Sequence, residues 1–212
     1  MPGNYTKAET IQKFREDNQD KYWREQALHS LQGRVCCISW AVGNSPAVCR
    51  GIWDKSELSI LNELNGVAQE MATDQGNVMW AGFNLKSFDL NWIWHRAVKY
   101  DLPALVDYIQ RDRYPKNILD VRDLWTGGDP HGKGKLKDIA KFFNIETIGD
   151  MDGSEVFDLF SAGEFAKISE YCRRDVEMTR EIAWRMGKGN VPSHWKPSKD
   201  PFAAPSASQE VA

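Results

Sequence analysis

Two aspartates stand where a charge is costly. Residues 164–186 carry an apolar stripe of Phe165, Ile168, Cys172, Val176, Thr179, Ile182, Ala183 and Met186 at helical spacing. Asp175 falls inside that stripe, whereas Arg173, Arg174, Glu177, Arg180 and Glu181 fall on the other, solvated side. A carboxylate turned toward a core costs several kcal/mol unless a cation or hydrogen-bond donors receive it. Tyr171 lies one turn earlier, so its ring shares the face. Asp89 is the second signal. It sits in the first turn of an aromatic-rich helix just past a strand, at the carboxyl edge of a sheet, where α/β proteins place their sites. The positive end of that helix favours a negative charge. Each aspartate has a plain structural alternative. Asp175 could pair with a buried arginine or a backbone amide, which the helix pattern alone favours, and Asp89 could serve the helix dipole and nothing else. Together they are two acids on separate elements aimed at one sheet edge, as metal-dependent phosphoryl chemistry requires. Hard oxygen ligands suit Mg²⁺ or Mn²⁺. Two such ions about 4 Å apart can activate a water and stabilise a leaving oxygen.

Other residues carry weaker signals. Gly127 to Lys135 is a flexible basic loop, and Lys133, Lys135, Lys137 and Lys141 could meet phosphates in a sequence-independent, salt-sensitive way. A solvated loop and helix face explains them equally well. The spacing GxxxxGK[ST] fails, so this is no Walker loop. Asp120 and Asp123 follow a strand and are expected to be structural. His95 and His131 match no zinc spacing, and His95 is expected to be a hydrogen-bonded core histidine. Trp80 and Trp92 could stack a terminal base, but core packing is the expectation.

The elements that must position these groups can be followed along the chain. Residues 1–33 are polar and expected to be helical from about Ala8 to Leu31. Val35–Val42 and Ala47–Trp53 are β-prone runs across a Gly43-Asn44-Ser45-Pro46 turn, hence a hairpin. Ser56 can cap a helix running to about Thr73, which Gly76-Asn77 breaks. A strand over Val78–Phe83 leads through Asn84–Ser87 into a helix over Phe88–Tyr100, apolar nearly all round and so expected to be buried. Asn117–Leu124 is expected to be the last strand, with helices over Leu136–Phe143 and Glu164–Met186. From 188 the composition turns to Gly, Pro, Ser and Lys, and 188–212 is expected to be a disordered tail. There is no internal repeat. The order predicts a mixed α/β sheet, an antiparallel hairpin plus parallel strands, covered by helices.

Bulk composition narrows the class. The chain of 212 residues is 42% hydrophobic and 11% aromatic, so it is a folded domain and not a disordered segment. Lys+Arg 27 against Asp+Glu 30 gives a net charge of −3, which neither requires nor forbids a nucleic-acid partner. Cys36, Cys37, Cys49 and Cys172 form no CxxC pair and no leader precedes them, so a reducing, cytoplasmic setting is expected. No apolar run nears the roughly 18 residues of a membrane span, so no membrane partner is expected.

Asn84-Leu85-Lys86-Ser87-Phe88-Asp89 resembles the second exonuclease motif of the DnaQ-like, ribonuclease H-like 3′–5′ exonuclease superfamily, Asn-x4-Asp with an aromatic before the acid. Tyr171-Cys172-Arg173-Arg174-Asp175 resembles its third motif, Tyr-x3-Asp, in the tyrosine subclass. Asp152 to Phe160 resembles the phage and bacterial PolB-like branch, and the resemblance covers roughly residues 2–186. It implies that Asp89 and Asp175 bind a pair of Mg²⁺ or Mn²⁺ ions and that Tyr171 orients the attacking water. Asn84, Phe88, Lys133 and Lys135 would contact substrate, single-stranded DNA or a DNA 3′ end. Nucleoside monophosphates would be released in replication, proofreading or repair. The family opens with a strand bearing Asp-x-Glu, and this chain lacks it. Pro2 to Lys7 resembles the stretch that follows that strand, and Glu9, Glu16, Asp17 and Asp20 lie in a polar helical region. Either the chain starts at an internal methionine of a longer protein, or a separate peptide or partner polymerase supplies the strand. Otherwise the domain is expected to be an inactive relative that binds nucleic acid or the replisome. The remaining alternative is an ordinary interaction domain whose acids are paired.

Overall fold

Helix and strand signals mark out two units, divided after Val35, in the computed structural model, which describes residues 8–26, 28–129, 131–147 and 151–188. The first unit holds α1 (Ala8–Asp17) and α2 (Gln19–Gln26). The single helix expected over 8–31 is thus split and ends early. Asn18 marks the break. Its side-chain amide donates to the Phe14 carbonyl at 2.8 Å, the kind of local bond by which asparagine competes with a helix ladder. Pro2 to Lys7 and the segment from 189 onward lie outside the described residues.

The second unit opens with the expected hairpin, β1 (Cys37–Trp40) and β2 (Val48–Gly51), antiparallel with Ser39 opposite Cys49. Gly51 is there for a reason of space, because a Cβ at that position would stand 2.2 Å from the Trp53 ring. That ring stacks on Phe165 with centroids 5.0 Å apart. Ser56 caps α3 (Glu57–Gln75) by accepting from Ser59 N at 3.1 Å, and Gly76 ends it at a left-handed φ of 68°. Next come β3 (Trp80–Gly82), α4 (Asp89–Lys99) and α5 (Pro103–Tyr108). Helix α5 was not expected, although Pro103 at its first turn is a start signal.

The strand expected over 117–124 is shorter than read. β4 spans Ile118–Asp120 and gives way to α6 (Val121–Thr126), because the Asp120 carboxylate caps that helix at Arg122 N. Then follow α7 (Leu136–Phe142), α8 (Val156–Ser161) and α9 (Phe165–Arg185). Helix α8 was also not expected. It is led in by an Asp152–Glu155 capping box.

β3 pairs with β4 in parallel, and β1 pairs with β2. The one mixed sheet of the expectation is therefore two two-stranded sheets, and among the described residues no strand joins β1 to β3. Helix α9 packs on β1, β2 and β3 and on α6, α7 and α8. It buries Met178, Ile182 and Ala183 against Val121, Ile139, Ala140 and Ile145. A second apolar layer joins α3, α4 and α5 through Ile60, Leu61, Leu90, Leu105 and Ile109. The whole is mixed α/β, compatible with a ribonuclease H-like fold.

Three burial expectations need correction. Helix α4 buries Leu90, Trp92, Ile93, Arg96 and Ala97, but Phe88 and Val98 face solvent, so it has an inner and an outer side. His95 is half-buried, edge-on to the Trp94 ring at 5.5 Å, and not a core residue. The charged side of α9 is not simply solvated. Glu181 is buried and paired with Arg185, Arg180 donates to Ser45 O at 2.9 Å, and Glu177 accepts from Ala47 N at 2.9 Å. These polar residues brace the hairpin turn, so the helix is covered on more than one side. Among the described residues no helix is long and apolar enough to cross a membrane.

Candidate functional site

The loop from β3 to α4 is set by Asp120. Parallel register places Asp120 beside Gly82, at the carboxyl ends of both strands. Its carboxylate accepts from Asn84 N at 2.9 Å, Lys86 N at 3.0 Å and Arg122 N at 3.0 Å. Asn84 takes a left-handed φ of 54°, a conformation asparagine tolerates better than most residues. Asp120 is thus structural, as expected. It fixes the turn that delivers Phe88 and Asp89. Asn84 contributes backbone to this turn, through its amide to Asp120 and its carbonyl to Phe88 N at 3.1 Å. Phe88 is exposed beside the Trp92 ring, 6.5 Å away centroid to centroid. Trp80 is held in the structure by its indole N–H, which donates to Tyr108 O at 2.8 Å, and Trp92 is core.

Asp89 is the first residue of α4. Its carboxyl pKa is pushed up to about 6. Crowding by protein atoms is the main cause, the bond from its own backbone amide opposes it, and the charges of Asp120 and Asp175 add to it. The residue nevertheless keeps an exposed surface. The carboxyl is thus densely surrounded yet reachable from outside.

Asp175 comes from α9, 86 positions further along the chain by the difference of the two numbers. It is half-buried, and its pKa is also pushed up to about 6, by burial first. A hydrogen bond from the Tyr171 hydroxyl and the charge of Lys137 hold the rise in check. Among the described residues no arginine acts on either carboxyl in this way; the cation near Asp175 is a lysine from α7. The Tyr171 phenol is pushed well above its ordinary range by burial and by the Asp175 charge. It stays protonated at neutral pH and donates to the carboxylate.

The structure therefore brings Asp89, Asp175 and Tyr171 to one edge of the β3–β4 sheet. Lys137, noted in the sequence only as one of several loop lysines, belongs beside them. Asp152, exposed at the start of the turn into α8, adds charge near Tyr171 and is itself drawn down chiefly by Ser154, with Lys135 and Lys137 contributing. Lys135 thus stands on the Tyr171 side as the residue before α7, whereas Lys133 is exposed in the loop with no contact to the acids. Asp123 bridges to Lys86 at 3.6 Å, away from the acids, and both line a shallow recess with Tyr114 and Leu124 that contains neither Asp89 nor Asp175.

Two raised carboxyls are a donor set of hard oxygens, the chemistry that Mg²⁺ or Mn²⁺ prefers. Their number is the limit. Asp120 is engaged by three backbone N–H donors, and among the described residues no group of three His, Cys, Asp or Glu side chains is placed to hold a metal ion. Asp89 and Asp175 fit part of one cation's shell, and they do not fit a complete pair of ions.

Comparison with known proteins bears on the same stretch of chain. Residues 54–186, more than half of the sequence, match the family described as a predicted 3′-5′ exonuclease related to the exonuclease domain of PolB. No curated protein and no solved structure gives a match. The matched segment contains Asp89, Tyr171 and Asp175 and excludes the hairpin, and on its extent the chain belongs to this family of PolB-related predicted 3′–5′ exonucleases.

Proposed function

We propose that this domain hydrolyses nucleoside monophosphates from DNA 3′ ends, as a tyrosine-subclass member of the ribonuclease H-like exonucleases. The observation that carries the reading is the meeting of Asp89 and Asp175 at one sheet edge, both with raised pKa values and neither answered by an arginine. Water attacks the terminal phosphorus, the bond to the preceding 3′ oxygen breaks, and that oxygen leaves with a proton. Tyr171, protonated and anchored on Asp175, can position the water but is too weak an acid to act as its base. Phe88, exposed next to Asp89, suits stacking on the terminal base. Lys135 and Lys137 suit the phosphates. A bound Mg²⁺ or Mn²⁺ would supply the charge that lowers the water's pKa and stabilises the leaving oxygen.

Two carboxylates are too few, so the reading includes a further strand bearing Asp-x-Glu, supplied upstream or by a partner such as a polymerase. The separation of the two sheets supports this, since β1 and β3 each pair on one side only among the described residues. Replication-linked proofreading or repair in the cytoplasm of a bacterial or phage-infected cell is the setting that suits the Asp152–Phe160 stretch.

The test is a 5′-labelled single-stranded oligonucleotide incubated with Mg²⁺ and the protein joined in frame to an Asp-x-Glu strand. Stepwise shortening from the 3′ end, lost in Asp175→Asn, is the expected result. No digestion overturns the reading. A second reading has one observation in its favour, the engagement of Asp120 by three backbone amides, which leaves only Asp89 and Asp175 for a cation. It is a domain that binds DNA without cutting. Metal-independent, salt-sensitive oligonucleotide binding with no hydrolysis would select it.

A further inference from the structure

The four cysteines lie far apart in sequence, at 36, 37, 49 and 172, yet they meet between the hairpin and α9. Register explains half of this. Cys37 stands opposite Gly51 and Cys49 opposite Ser39, so Cys37 and Cys49 project from the same face of the hairpin. That face packs on α9, which contributes Cys172. The Cys37 and Cys172 sulfurs are 3.3 Å apart, and the Cys36 and Cys37 sulfurs 3.9 Å apart. Cys49 hydrogen-bonds with Cys172 and then Cys37, and these bonds draw its pKa well below the ordinary thiol value, with Arg173 helping. The bond to Cys172 pushes Cys37 the other way. All four thiols are free and none is fully buried, so a small oxidant can reach them.

We propose that Cys37 and Cys172 form a redox-responsive pair that closes to a disulfide under a hydroperoxide and so staples strand β1 to helix α9. A disulfide is about 2.05 Å long, so the sulfurs need to approach by only about 1.3 Å. Cys37 and Cys172 are both held protonated, so the one that gives its proton to the neighbouring Cys49 thiolate attacks the peroxide. The O–O bond breaks, leaving a sulfenic acid and, with hydrogen peroxide, hydroxide that takes the released proton as water. The second thiol attacks the sulfenic sulfur, the S–S bond forms, and the hydroxyl leaves with the second proton as another water. Two electrons pass from the two thiols to the peroxide. Cys49 lies within reach of both sulfurs and offers the exchange route by which a thiol reductant reopens the bond. The staple joins residues 135 positions apart in the chain and attaches one residue from Tyr171 and three from Asp175. Thiol clusters also suit soft metals, but no three of these side chains are arranged to hold one. The pair reading is independent of any nuclease activity.

The full chain, reduced and then freed of reductant, is treated with stoichiometric hydrogen peroxide. Titratable thiols should fall from four to two, and peptide mapping should join the Cys37 and Cys172 peptides within one chain. The melting temperature should rise by about 5 °C or more and return with dithiothreitol. Cys36→Ser should still close the pair, and Cys172→Ser should lose the melting shift. If Cys172→Ser does not fold, the mapping of the unaltered chain decides. Four thiols remaining, a different or intermolecular linkage, or a metal ion co-purifying with the thiols protected each overturns the proposal.

Discussion

Two regions of this domain treat their acids in opposite ways. Glu57 opens α3 at 6% exposure, where Arg96 of α4 meets it at 2.5 Å and the Tyr100 hydroxyl donates to it at 2.7 Å. The charge is answered by a charge and a donor, and the result joins α3 to α4. At the edge of the β3–β4 sheet, burial raises both Asp89 and Asp175, the Asp175 charge adds to the rise at Asp89, and one lysine acts on Asp175. The same chain that pairs Glu57 inside the core leaves these two raised. That difference is what the proposed function builds on when it assigns a cation to these two acids.

The comparison can be pressed from its strongest consequence to its weakest. In the protein completed by an Asp-x-Glu strand, Asp89→Asn or Asp175→Asn should each cut the exonuclease rate by about a thousandfold or more, measured by gel, with the melting temperature kept. An undiminished rate would break the contrast at once. At the paired acid the effect should be on stability. Arg96→Met leaves the buried Glu57 carboxylate with the Tyr100 hydroxyl but without its cation, and should cost about 3–5 kcal/mol in urea unfolding, without a specific loss of metal response.

Asp175→Asn should act the other way on stability. The folded carboxyl has a pKa of about 6 against an ordinary 3.8, so the folded state holds its proton over that interval and the unfolded chain does not. Its favourable contribution is complete below pH 3.8 and is lost as pH rises through 6. Asparagine mimics the protonated form, so the variant should be more stable at pH 7 by about 1–2 kcal/mol, with the gap closing by about pH 4 in denaturant titrations. A gap that stays constant with pH would mean the carboxyl is not held back. The smallest effect belongs to Lys137→Met, which removes the cation that favours ionised Asp175 and should move that pH midpoint upward by a fraction of a unit.

Much of the site was legible because a charge inside a hydrophobic period is conspicuous. Asp175 and Tyr171 share a helix face by simple spacing, and Asp89 follows a strand. The parts that were not legible depend on distant chain segments. Asp120 shows as an acid after a strand, but its grip on Asn84 and Lys86 exists only once β4 lies parallel to β3. Nothing in the lysine spacing tells Lys137 from Lys133, because the placing of α7 decides which one faces Asp175. The run over 117–124 reads as one strand by apolar content, but the capping carboxylate at 120 turns its second half into a helix. Glu181 reads as solvated on a helical wheel and is buried because Arg185, one turn later, is there to receive it. The meeting of the four cysteines has no sequence signature, since it requires the hairpin register and a helix from the far end of the domain.

Helix α9 covers both strand pairs and also carries Tyr171, Cys172 and Asp175. During synthesis the hairpin, the parallel pair and Asp89 all emerge from the ribosome well before that helix. Until it arrives, each small sheet lacks its cover and the acid at 89 lacks its counterpart. On the proposed function, a partly made chain therefore has no assembled hydrolytic centre with which to attack nucleic acid nearby, and readiness for chemistry would come together with the final packing step.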